Sequence, residues 1–112
     1  MRSVDKIVEG FRREAQQDYV GLWQVTGTVM HNFKLSEASK IREMTLTIVR
    51  QLLDSGLCAV DLAPGGRCTP WSDQEPESVV RRIEAEWNAL GRDPDIGDIV
   101  WFNLPPRTSR PS

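Results

Sequence analysis

The side chains able to do chemistry are few and scattered. His31 is the single histidine, and Cys58 and Cys68 are the two thiols. Nucleophilic catalysis by a Ser–His or Cys–His pair needs a histidine that reaches the nucleophile and a carboxylate that orients it. Nothing near His31 in the sequence supplies either, and exposure near the negative end of a helix accounts for it. One histidine and two cysteines without a close ligand pair do not match the structural zinc spacings, and there is no H-E-x-x-H run. Gly65-Gly66 lacks the following Lys-Ser/Thr of a phosphate loop and stands in no G-x-G-x-x-G pattern, so it reads as a turn. Cys58 and Cys68 flank that turn out of register, which suits two half-buried thiols better than a disulfide. The expectation is no catalytic residue, no metal ligand and no cofactor.

Acids and one tryptophan remain. Asp73, Glu75 and Glu77 open a helix, where carboxylates meet the positive end of its dipole. Glu84 and Glu86 lie within that helix, and Asp93, Asp95 and Asp98 fall in the loop after it. Three carboxylates in six residues, in a loop shaped by Pro94 and Gly97, make a surface that a basic partner would find. Trp71 follows Pro70 at a strand-to-helix junction, where a partly exposed aromatic body would anchor an interface. Trp23, Trp87 and Trp101 read instead as core. The candidate partner-binding set is Trp71, Asp73, Glu84, Glu86, Asp93, Asp95 and Asp98.

The elements that must position these residues follow from periodicity. Val4, Ile7, Val8, Phe11 and Ala15 predict a helix over about Ser3 to Gln17. Asp18 as a cap and the stripe Tyr19, Leu22, Trp23, Thr26, Met30, Phe33, widened by Val20 and Val29, predict a second helix from Tyr19 to Phe33. Ser36 as N-cap and Ile41, Met44, Thr45, Ile48, Val49 and Leu52 predict a third, which Gly56 and Leu57 close in a Schellman pattern. Residues 57–71 then read as a β-hairpin around Pro64-Gly65-Gly66. Capping signals at Ser72 to Pro76 and the stripe Val79, Val80, Ile83, Trp87, Leu90 predict a fourth helix ending at Gly91. Residues 98–104 form a last strand, apolar on both faces and therefore central. The expected fold is α+β and mainly helical: four helices with a small antiparallel sheet of three strands, in winged-helix-like order. Residues 1–104 read as one globular domain and 105–112 as a flexible Pro/Arg/Ser tail.

The totals bound the function. The 112 residues carry 14 Lys+Arg against 16 Asp+Glu, with a formal net charge of −2. Residues 1–53 hold 8 basic and 6 acidic side chains, residues 54–112 hold 6 and 10. A nucleic-acid binder shows a basic stripe, whereas the doublets Arg12-Arg13 and Arg81-Arg82 each have an acid close by. No apolar run reaches the ~20 residues of a membrane span or the core of a signal peptide. The expectation is a soluble cytoplasmic protein with no membrane partner and no preference for nucleic acid.

The stretch from Arg82 through Trp87, Gly91, Pro94 and Gly97 to Phe102, with Leu53-Asp54-Ser55-Gly56-Leu57 and Pro70-Trp71, resembles the single-domain immunity proteins of bacterial toxin–immunity systems over about residues 18–104. The resemblance implies a non-enzymatic inhibitor that binds a cognate toxin and covers its basic active cleft. An acidic surface would be steered to such a cleft electrostatically. Helices followed by a hairpin with a Pro-Gly-Gly tip also read as a winged-helix regulator or an adaptor subunit. Against DNA binding, the third helix mixes Lys40, Arg42 and Arg50 with Glu37 and Glu43, and the hairpin tip offers Arg67 alone.

Overall fold

The computed structural model describes residues 2–62, 67–95 and 98–104. They form helices α1 (Arg2–Ala15), α2 (Leu22–Phe33), α3 (Ala38–Asp54) and α4 (Pro76–Leu90), and strands β1 (Val20–Gly21), β2 (Cys58–Leu62), β3 (Cys68–Pro70) and β4 (Trp101–Asn103). The fold is the expected mainly helical α+β. The sheet is antiparallel in the order β1-β4-β2-β3, so β4 is internal as expected, but only its Phe102 face is buried, Trp101 and Asn103 on the other face being half-buried. The Pro-Gly-Gly turn, Ile96-Gly97 and the 105–112 tail lie outside the described residues.

Other expectations are corrected. The sheet has a fourth strand, because Val20 and Gly21 leave the expected second helix to pair with Phe102 and Trp101. The N-cap of α2 is therefore Gly21 instead of Asp18. Gln24, three residues on, accepts the Gly21 N–H at 2.7 Å, one half of a capping box. Glycine is needed there for space: a Cβ would stand 2.5 Å from Nε1 of Trp23. The second correction is the buried face of α2. It runs through Leu22, Val25, Thr26 and Val29, leaving Met30 exposed and Trp23 half-buried.

The last strand is also shorter than the expected 98–104: it covers Trp101–Asn103, because Asp98 to Val100 close a turn with Ile99 at positive φ. Helix α3 starts one residue later than its cap signal, on Glu37, and ends as expected. Gly56 at φ +111° sends its N–H to Leu53 O, and Leu57 N–H returns to Leu52 O, the paired bonds of a Schellman stop. Pro76 opens α4 and Gly91, at φ +77°, closes it. Cross-strand registers place Val20, Phe102 and Ala59 in one row. That row faces the helices and joins the core with Val25, Ile48, Leu52, Ile83 and Trp87. Leu62 pairs with Cys68, which leaves Cys58 opposite Asn103 of β4, and both thiols are free.

Candidate protein-binding groove

Helices α3 and α4 pack antiparallel. Arg42, early in α3, meets Asn88 and Trp87 late in α4, while Arg50 meets Glu77 at the other end. Each helix presents a stripe at helical spacing: Ser39, Glu43, Leu46 and Arg50 on α3, and Val80, Glu84, Trp87 and Gly91 at the end of α4. Between them lies a groove of about 890 Å³, which Arg92 and Asp93 also line. Its floor of Leu46, Val80 and Trp87 is 8%, 5% and 1% exposed.

The charges of this groove divide into two groups. Its three arginines are held by the protein itself. Arg50 forms a two-pronged pair with Glu77 at 2.9 and 3.3 Å, Arg92 bonds Asp98 at 2.9 Å, and Arg42 donates to Asn88 Oδ1 with its guanidinium 5.1 Å from the Trp87 ring centre. The carboxylates of Glu43, Glu84 and Asp93 enter no ion pair among the described residues. Glu43 and Glu84 are exposed and Asp93 is half-buried. Net negative charge is therefore left facing solvent above an apolar floor.

The residues singled out from the sequence separate into different settings. Glu84 and Asp93 meet in the groove, and Asp95 is exposed in the loop beyond them. Asp98 organises that loop by accepting the Asp95 N–H at 2.8 Å and the Arg92 guanidinium. The Asp95 amide, then Arg92, hold the Asp98 carboxyl below the usual carboxylate range, against a small opposing effect of burial. The next residue, Ile99, sits at φ +69° in a γ-turn closed by Val100 N–H to Asp98 O at 2.8 Å. Asp73 accepts the Glu75 N–H and shapes the entry to α4. Glu86 pairs with Arg82 one turn earlier.

The expectation of a partly exposed anchor at Trp71 is corrected. The indole is 4% exposed and sits in the core cluster. Its Nε1–H donates to Asp61 at 2.9 Å, and the Arg82 guanidinium lies 3.6 Å from the ring centre. Pro70 ends β3, but the Trp71 N–H still bonds Ala59 O and turns the ring inward.

Sequence reasoning missed Glu43 as a site residue and Gln74 as a structural one. The 39-43-46-50 spacing was the available signal for Glu43. Gln74 imitates a strand residue, accepting the Ala59 N–H and donating to Ala59 O and Trp71 O, all within 2.9 Å. These bonds fix where β3 hands over to α4. No family model, no curated protein and no solved structure matches the chain.

Proposed function

We propose that this chain is a non-enzymatic, protein-binding inhibitor of the immunity type, acting in the bacterial cytoplasm to neutralise a cognate toxin by covering its basic active cleft. The observation that carries the reading is the charge state of the α3–α4 groove. Its arginines are occupied by Glu77, Asp98 and Asn88, while Glu43, Glu84 and Asp93 keep their charge for a partner. A negative surface of this kind speeds encounter with a basic cleft and disfavours acidic partners.

The same arrangement weakens the alternative of a DNA-binding regulator. Helix α3, which that reading inserts into the major groove, packs against α1, α2 and α4. Two of its three basic side chains, Arg42 and Arg50, are already engaged. Few cations remain there to displace counterions from phosphate.

The test is affinity capture from bacterial extract at low salt, run in parallel without and with nuclease, followed by an activity assay on whatever protein is retained. The reading predicts one protein held at 1:1 stoichiometry whose activity falls when this chain is added. Bound material that disappears on nuclease treatment overturns it in favour of the regulator. A retained protein whose activity is unaffected overturns it in favour of an adaptor.

A further inference from the structure

We infer that the α3–α4 groove is the seat for an extended, lysine- or arginine-rich segment of the partner protein. This rests on the inhibitor reading and adds the chemistry of the contact. The groove's size sets the first limit. Its walls run from Ser39 to Arg50 and from Val80 to Gly91, about 17 Å at a rise of about 1.5 Å per residue. That length matches about five residues of extended chain at about 3.3 Å each.

The floor sets the second limit. An amphipathic helix docks by burying apolar anchors at helical spacing on exposed apolar surface. Here Leu46, Val80 and Trp87 are already 92% or more covered, as their exposures of 8%, 5% and 1% state, so such anchors gain little. Long basic side chains suit the site better, because their charged heads reach the carboxylates at the rim and their binding does not depend on burying further apolar surface.

Charge complementarity fixes the sign. The Arg50–Glu77 pair marks one end of the groove and the Arg92–Asp98 pair the other, and both arginines are neutralised within the chain. Between them the carboxylates of Glu43 and Glu84 rise from opposite walls, with Asp93 near the α4 end. A cationic segment gains from three carboxylates against the single charge of Arg42, which the neutral Asn88 amide and the Trp87 ring hold against the wall without neutralising it. An anionic segment meets the reverse.

The experiment uses the full chain, isotope-labelled for NMR, with a deca-lysine peptide as probe and a deca-glutamate peptide as control. The inference predicts shifts for deca-lysine concentrated on residues 39–50 and 80–93, with none for deca-glutamate. Glu43→Gln/Glu84→Gln should weaken binding about fivefold, in line with exposed ion pairs. Asp5→Asn/Glu9→Gln on α1, which removes the same charge away from the groove, should change it less than about twofold. Both pairs lie on helix surfaces where Gln and Asn cost little, and retained melting temperatures establish that the variants fold. Shifts centred elsewhere, no shifts, or equal weakening by the two pairs overturn the inference. If a partner protein is captured and inhibited equally by the wild type and by Glu43→Gln/Glu84→Gln, the groove assignment fails while the inhibitor reading stands.

Discussion

The Thr45 hydroxyl lies fully buried on α3 with no hydrogen-bond partner among the described residues. An unsatisfied buried hydroxyl costs more than it returns, and valine keeps the shape and β-branching without it. Thr45→Val should therefore raise stability by about 1 kcal/mol, read from a denaturant midpoint at unchanged slope. Asp98 carries the clearest pH signature. Its carboxyl titrates below the ordinary value, so its contribution is present above the unfolded pKa and is lost as pH falls through the lower, folded pKa. NMR titration should find Asp98 below the ordinary aspartate range, and Arg92→Ala should bring it only part of the way back, because the Asp95 amide is the larger cause. Full recovery in that variant would show that the ion pair dominates. Cys58 is shifted the opposite way: burial, then the neighbouring Cys68, push its thiol up, leaving less thiolate at neutral pH. Alkylation of Cys58 near pH 7 should be slower than that of a cysteine in a short peptide and should rise more steeply with pH.

At the scale of elements, the caps and stripes of α3 and α4 were readable because their causes are local. Gly56 and Leu57 stop α3 by bonds that span five residues or fewer, and Pro76 and Gly91 bound α4 in the same way. Strand β1 was not readable, since Val20 fits the helical stripe and both it and Gly21 are drawn into the sheet by Phe102 and Trp101, far along the chain. Trp71 misled for a related reason. Its position after Pro70 suggests exposure, but Asp61 and Arg82 hold it from two other elements. The acids of the groove were visible as residues, though which of them stay unpaired depends on contacts such as Arg42 with Asn88, 46 residues apart. Gln74 makes the junction between β3 and α4 testable. Gln74→Ala removes the acceptor of the Ala59 N–H on a fully buried residue, and should cost about 1–3 kcal/mol by thermal or chemical unfolding. Gln74→Glu should cost at least as much, because its second carboxylate oxygen would stand against the Ala59 and Trp71 carbonyl oxygens with no proton to donate to either.

Across the whole molecule, a modest net charge of −2 conceals an uneven distribution, and the distribution carries the functional reading. The acidic half supplies Glu84 and Asp93, α3 supplies Glu43, and the intramolecular pairs of Arg50 and Arg92 keep the groove from neutralising itself. No helix among the described residues is long and apolar enough to cross a membrane. The most direct test is the association rate of this chain with its captured partner, measured by stopped flow as ionic strength is raised, for the wild type and for Glu43→Gln/Glu84→Gln/Asp93→Asn. Steering by the groove predicts a wild-type rate that falls at least about tenfold from low to high salt, a slower variant at low salt, and convergence of the two at high salt. Equal rates for the two proteins at every ionic strength would contradict the account.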